Sequence, residues 1–258
     1  ITVVYPVSRS AVGTGLWDRH VKSADAVPAP DALFSTLNAA GAILPAFLHD
    51  LLRIEHALRI AEGRASAIPS SVDALTVNPT AAVHEVVWRG LCGLFEPLPG
   101  PAALPIEGPE RVLLWYDPQE KKARIRPAES DDLLALKMAV EGISAESVAA
   151  AAKVTISAVD ELIDRAVRQG LLLAPPSLLR RDPVVYRASG PGDEEFLTSD
   201  SFTLQWHITQ VCDLHCRHCY DRSDRSPLTL ELAVRVIDDL RAFCRERRVR
   251  GAISFTGG

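Results

Sequence analysis

Residues 202–220, FTLQWHITQVCDLHCRHCY, join a short alternating run to three closely spaced cysteines. Up to Thr209, apolar side chains alternate with polar ones, and this period of two is typical of a β-strand. Directly after the predicted strand come Cys212, Cys216 and Cys219. We therefore expect the cysteines on a loop at the carboxyl end of the strand, where parallel α/β sheets and barrels carry their chemistry.

The sequence after the cysteines predicts a helix and a second strand. Ser226 or Thr229 can cap a helix that runs to about Arg247. Its predicted buried stripe consists of Leu230, Ala233, Val234, Ile237, Leu240 and Cys244. An apolar strand over residues 252–255 follows, and strand, loop, helix and strand form one βαβ unit. Because the sequence stops at the turn after this strand, we expect the chain to be a fragment.

The cysteine spacing C-x3-C-x2-C indicates a metal centre rather than disulfides. A structural zinc ion needs a fourth ligand, but Cys244 lies on the predicted buried stripe. His215 and His218 are interleaved with the cysteines so closely that they would crowd one small tetrahedral ion. Three thiolates suit a [4Fe-4S] cluster with one open iron, which can accept a substrate's amino and carboxylate groups. The spacing favours the iron–sulfur cluster, with zinc as the alternative.

The overall composition is that of a soluble globular protein. The 258 residues are 47% hydrophobic and 24% charged, which excludes a disordered, collagen-like or disulfide-dense chain. No run of about 20 apolar residues predicts a membrane span. The formal net charge of -5 argues against a general nucleic-acid binder. The start of the chain lacks a secretory signal, so we expect a cytoplasmic protein.

The chain as a whole predicts a multidomain α+β fold. Its clearest helix begins at Pro45 and ends near Gly63. His49 and His56 share a face of this helix, but their spacing of seven is not that of a typical metal-binding pair, so we interpret them as surface residues. Four segments are expected: a mainly helical domain (1–108), a winged-helix-like domain of one hairpin and three short helices (109–176), a linker (177–201), and the start of an incomplete α/β barrel (202–258).

The winged-helix-like segment suggests either DNA binding or peptide binding. Residues 128–176 contain eight acidic and four basic side chains, too little positive charge for a helix that faces phosphates. The predicted second hairpin strand is basic and suits a sheet edge, with Lys121, Lys122, Arg124 and Arg126. An acidic peptide could add to this edge as another strand, or the charges could serve only to prevent aggregation.

Residues 212–220 resemble the cluster motif of radical S-adenosylmethionine enzymes, particularly the peptide-modifying, SPASM-like branch. Residues 256–258 resemble the start of that family's Gly-Gly-Glu motif. The resemblance covers residues 202–258 and implies a partial (βα)6 barrel, with the [4Fe-4S] cluster held by the three cysteines. It also implies S-adenosylmethionine near Tyr220, Gly257 and Gly258, and an electron donor such as a flavodoxin or ferredoxin.

Two upstream stretches have resemblances of their own. Residues 111–187 resemble small leader-peptide-recognition domains similar to PqqD, and residues 45–55 resemble the N-terminal helices of HvfC-like maturation partners. These resemblances imply that the substrate is the leader segment of a ribosomally made precursor peptide, with no nucleic-acid or membrane partner.

The leading hypothesis is therefore the N-terminal part of a radical S-adenosylmethionine peptide maturase. Such an enzyme cleaves the cofactor reductively to a 5′-deoxyadenosyl radical, which abstracts hydrogen from the substrate. We expect the fragment alone to be inactive. The alternatives are a DNA-binding regulator with a redox-sensing iron–sulfur cluster and a zinc-stabilised interaction module.

Overall fold

The computed structural model describes most of the chain, which divides into two compact units. The first unit is residues 1–174 and the second is residues 175–258. Both combine helices with small sheets, so the chain is mixed α+β. The described residues are 5–21, 29–39, 43–95, 103–182, 184–187, 194–209, 217–218 and 226–257.

The first unit begins with four helices: α1 (Pro6–Val12), α2 (Thr14–His20), α3 (Pro30–Ala39) and α4 (Leu48–Gly63). Helix α4 ends at Gly63 as predicted and begins three residues after Pro45, because residues 46 and 47 form a turn. It is the central helix of this part, since it contacts α1, α3 and the sheet. Its fully buried side chains include Leu48, Leu51, Leu52 and Ile54.

Two acidic residues of α4 are also buried, and both accept main-chain hydrogen bonds. The Glu55 carboxylate accepts from the Val7 and Ser8 amides at 2.8 and 2.9 Å and from the Ser8 hydroxyl at 2.6 Å. It therefore satisfies the free N–H groups at the start of α1. Asp50 accepts from the Val87 amide at 2.9 Å. Both carboxylates thus connect α4 to neighbouring backbone rather than to a ligand.

The strands of the first unit are β1 (Thr76–Val77), β2 (Ala82–Arg89), β3 (Ile106–Asp117) and β4 (Lys122–Pro127). The last three form an antiparallel sheet in the order β2-β3-β4, so β4 is an edge strand, as predicted. A bulge interrupts the pairing of β2 with β3 between Val86 and Trp88. The predicted boundary at residue 108 falls within β3, and the segment before it contains β2 in addition to the four helices.

The hairpin is followed by α5 (Ser130–Glu141), α6 (Ala145–Ala152), α7 (Ile156–Arg168) and β5 (Leu172–Leu173), which pairs antiparallel with β1. A hairpin followed by three helices is the predicted element order. Asn78 joins this part to the residues before it, since its side-chain amide donates to the carbonyls of Tyr116 at 2.8 Å and Gly170 at 2.7 Å. The predicted domain of residues 109–176 is therefore packed together with residues 76–80.

The second unit consists of α8 (Glu194–Leu197), β6 (Ser201–His207), α9 (Leu230–Arg247) and β7 (Arg250–Thr256). Strands β6 and β7 pair in parallel, from Ser201 opposite Arg250 to His207 opposite Thr256. The predicted strand, helix and strand are thus all present. The predicted buried stripe of α9 is only partly correct: Cys244 is buried, whereas Leu230, Val234 and Ile237 are 82%, 49% and 42% exposed. The paired strands β6 and β7 cover only the C-terminal half of the helix.

The predicted linker of residues 177–201 is partly built into the second unit. The Leu178 amide donates to the Arg247 carbonyl at 2.8 Å, and the Ser199 amide donates to the Leu179 carbonyl at 3.1 Å. The Arg250 amide donates to the Asp200 carbonyl at 2.9 Å. These hydrogen bonds hold both ends of the segment against the end of α9 and the start of β7. No helix in the described part of the chain has the length and hydropathy needed to cross a bilayer.

Candidate functional site at the carboxyl ends of two parallel strands

The predicted site lies where β6 and β7 end. Because the two strands are parallel, their carboxyl ends meet at one edge of the sheet. The Ile208 amide donates to the Thr256 carbonyl at 3.0 Å and continues the pairing past the end of β6. This pairing brings Thr209, which precedes the cysteine loop, next to Gly257.

Gly257 is held in a conformation and a contact that require glycine. Its φ is +123°, in a region that residues with a side chain rarely adopt. A Cβ atom at this position would overlap the Thr209 carbonyl oxygen and would lie 3.1 Å from the Thr209 nitrogen. The main chains of the two strand ends are therefore in direct contact. Sequence reasoning selected Gly257 but missed Thr209, because the contact follows from the register of the two strands.

The two faces of β6 differ as the alternation predicted. The Phe202 ring packs on Phe243 of α9, with ring centroids 4.8 Å apart. Leu204 and Trp206 alternate with it and share this face. Gln205 and His207 therefore lie on the face opposite α9, where Gln205 is exposed and His207 is partly buried.

Five of the predicted site residues lie outside the described residues: Cys212, Cys216, Cys219, Tyr220 and Gly258. Within the loop, only Arg217 and His218 are described, and both are exposed in a turn. Elsewhere in the described ranges, no three His, Cys, Asp or Glu side chains are grouped as a metal site. The predicted ligands thus remain a prediction from their spacing.

The two cysteines outside the loop are packing residues. Cys92 is buried in a cluster with Leu51 and Ile54. Cys244 is also buried, and burial raises the pKa of its thiol, so it stays protonated at neutral pH. A metal ligand must be a thiolate. The burial of Cys244 therefore agrees with the prediction that the three loop cysteines are the metal ligands and Cys244 is not.

The two histidines of α4 have separate partners. His49 Nε2 lies 2.8 Å from a carboxylate oxygen of Asp31, and its ring meets Phe34 edge-on. His56 Nδ1 lies 3.0 Å from the Tyr5 hydroxyl. These contacts agree with the interpretation that the two histidines are not a metal pair.

The basic side chains of edge strand β4 are mostly paired within the first unit. Arg126 forms two hydrogen bonds of 2.5 Å to Asp132, and its guanidinium lies over the Trp115 ring. Arg124 donates to Asp117 at 3.2 Å, and Lys122 lies 3.4 Å from Glu120. Little positive charge remains for an acidic peptide. Any peptide added to β4 would be held mainly by its backbone.

Comparison with known proteins does not assign the chain to a family. No protein-family model matches the sequence, and no curated protein matches it. The features of the chain that bear on its function are therefore its three clustered cysteines, the strand that precedes them and the contact between Gly257 and Thr209.

Proposed function

We propose that the chain is part of a radical S-adenosylmethionine enzyme that modifies a ribosomally made precursor peptide. The observation that carries the proposal is the contact between Gly257 and Thr209 at the shared carboxyl edge of β6 and β7. The three-cysteine loop leaves the sheet from this edge. A glycine main chain bordering a thiolate loop is a suitable place for an amino-acid-like cofactor, because backbone groups can be approached closely there.

The residues near this edge fit the groups that the proposal requires. Cys212, Cys216 and Cys219 would hold a [4Fe-4S] cluster, and three thiolates leave one iron open for the methionine part of S-adenosylmethionine. Gly257 and Gly258 would offer main-chain groups to that cofactor, with Tyr220 beside it. A bound cluster, once reduced by the electron donor, would supply the one electron that cleaves S-adenosylmethionine to methionine and a 5′-deoxyadenosyl radical. Gln205 and His207 would bind or orient the substrate from the open face of β6.

The first unit supports a peptide substrate in this proposal. Strand β4 is an edge of its sheet, and extended peptides bind such edges by adding a strand. The pairing of Arg124 and Arg126 with acidic neighbours also makes a DNA-binding role less suitable, because phosphate recognition needs available cations. We therefore propose that β4 takes the leader segment through backbone hydrogen bonds.

The proposal is tested by replacing one predicted ligand in the full-length protein. After anaerobic reconstitution with iron and sulfide, the protein should show iron–sulfur absorbance and should cleave S-adenosylmethionine to 5′-deoxyadenosine. The variant Cys216→Ala should lose the cleavage activity completely and most of the absorbance, because a ligand of the cluster is gone. Absorbance, bound iron and released 5′-deoxyadenosine are the measurements.

The matched control is Cys244→Ala, which removes a thiol that is buried on α9. This variant should keep its iron content and its cleavage activity. If Cys216→Ala still cleaves the cofactor, the assignment of ligands is wrong. If the protein binds stoichiometric zinc and no iron–sulfur cluster, the zinc-stabilised module is the correct alternative.

A further inference from the structure

We propose that the second unit also carries a docking surface for an acidic segment of a partner protein. Its positive part, here called the arginine surface, consists of five exposed residues: Arg180, Arg181, Arg187, Arg247 and Arg248. The hydrogen bond from the Leu178 amide to the Arg247 carbonyl joins the two stretches of chain that supply them. Arg180 is fixed further by a β-bridge to Thr198.

The arginine surface has a charge opposite to that of the whole chain, whose formal net charge is -5. Two acidic residues adjoin these arginines in sequence, and both have local contacts. Asp182 accepts a hydrogen bond from the Val184 amide at 2.8 Å, and Glu246 lies 3.7 Å from Arg247. The presence of Arg247 and Arg248 at the C-terminal end of α9 is explained by the helix dipole, because its negative end favours positively charged side chains. It does not account for the three arginines of residues 180–187, which lie outside any helix.

Apolar side chains are exposed beside these arginines. Val184 and Val185 are 76% and 69% exposed, and Tyr186 is 51% exposed. Hydrogen bonds from the Val185 and Tyr186 amides to the Asp182 carbonyl hold the three residues in a turn. Exposed apolar and aromatic residues next to arginine are typical of the centre of a protein–protein interface.

The same side chains favour a protein partner over a nucleic acid. Branched aliphatic side chains gain little from a phosphate backbone, whereas they bury well against another protein. Single-stranded nucleic acids stack their bases on open aromatic faces. One face of the Tyr186 ring is covered by the Arg181 guanidinium, 5.3 Å from the ring centroid. The surface therefore fits a segment that combines carboxylates with apolar side chains.

The docking surface is separate from the proposed metal site. It adjoins the start of β6, because the Arg250 amide donates to the Asp200 carbonyl and Arg180 bridges Thr198. The cysteine loop follows the other end of this seven-residue strand. At a rise of about 3.3 Å per residue, the two ends lie about 20 Å apart. The inference thus concerns a second binding event, beyond the proposed catalytic function.

The test uses the intact chain and a fluorescein-labelled synthetic peptide in which glutamate alternates with leucine. Fluorescence anisotropy should show saturable binding that weakens as salt is added. The variant Arg180→Glu/Arg181→Glu should weaken binding about tenfold, because two attractive charges become repulsive. The variant Val184→Ser/Val185→Ser should also weaken binding, but without changing its salt dependence.

The matched control is Lys137→Glu/Arg168→Glu, which makes the same change in net charge on exposed helix positions of the first unit. It should bind the peptide within about twofold of the unchanged protein, since its substitutions leave every residue of the arginine surface unchanged. Circular dichroism should show that every variant is folded. The inference is overturned if the arginine and control variants bind equally. It is also overturned if a peptide with glutamine for glutamate binds as well, or if a labelled oligothymidine binds more tightly than the acidic peptide.

Discussion

At the scale of single residues, the buried carboxylate of Glu55 has the most direct consequence for stability. Burial raises its pKa above the usual value of 4.5, although the hydrogen bonds from Ser8 and Val7 and the charge of Arg59 oppose the shift. Tyr5 lies close by, and its pKa is raised by burial and by Glu55. A carboxyl group whose pKa is higher in the folded state than in the unfolded state stabilises the fold while it is protonated. This stabilisation is complete at pH values below the unfolded-state pKa. That contribution is lost as the pH rises through the folded-state pKa.

We therefore predict a specific pH dependence for the variant Glu55→Gln. The difference in the free energy of unfolding, unchanged protein minus variant, should decrease as the pH is raised from 4.5 towards neutrality. Urea denaturation at several pH values, followed by far-ultraviolet circular dichroism, measures the difference. An increase with pH would show instead that the α1 amides stabilise the ionised carboxylate more than burial destabilises it.

Asn78 shows the limit of prediction at this scale. Nothing in the sequence around Asn78 distinguishes it from a turn residue, yet it is fully buried and bonded to two distant carbonyls. We predict that Asn78→Ala destabilises the first unit by about 2 to 3 kcal/mol, because both carbonyls lose a buried partner. Thermal or urea unfolding checks this value. The exposed variant Asn38→Ala on α3 is the control and should be nearly neutral.

At the scale of elements, regular patterns were predicted and irregular ones were missed. Helix α4, the hairpin, α5–α7 and the β6–α9–β7 order follow from periodicity and turn residues. Strand β2 was missed because apolar and polar residues are mixed on both of its faces: the more buried face carries His84, and the exposed face carries Val83 and Val87. The start of β3 is also irregular, because it contains Gly108 and Pro109. These two residues lie opposite the single residue Val87 and form the bulge, a position at which a sheet tolerates proline.

The packing of α9 on β7 gives a prediction for a pair of residues. A Cβ atom at Gly251 would lie 2.9 Å from the Cys244 sulfur, so helix and strand approach closely there because Gly251 has no side chain. We predict that Gly251→Ala destabilises the second unit by about 1 to 3 kcal/mol. Adding Cys244→Ala should recover part of the loss, because the smaller side chain makes room for the new methyl group.

A double-mutant cycle on the full chain measures this coupling between Gly251 and Cys244. Urea unfolding of the two single variants and the double variant gives the three free energies. Strictly additive effects would show that the helix shifts away from the strand instead of keeping the close contact.

At the scale of the whole molecule, the two units differ in how much apolar surface they bury. The described residues of the first unit form four clusters of buried side chains: between α4 and the helices before it, between α4 and strands β2 and β3, around β3 with α7, and between α5, α6 and α7. Among the described residues of the second unit, Cys244 is the only apolar residue that is buried, with 7% of its surface exposed. One βαβ unit has too few elements to cover both faces of its sheet.

We accordingly predict that the two units behave differently when they are produced separately. Residues 1–174 should unfold cooperatively on heating, because a chain of this length buries enough apolar surface to fold alone. Leu51→Ala in that piece should lower the free energy of unfolding by about 2 to 5 kcal/mol, since Leu51 is fully buried beside Ile54.

Residues 175–258 alone should lack a cooperative transition and should bind a hydrophobic dye, because Leu230 and Phe255 are 82% and 59% exposed. Scanning calorimetry and dye fluorescence separate these outcomes, and a sharp, dye-free transition of residues 175–258 would show that the second unit has a sufficient core of its own.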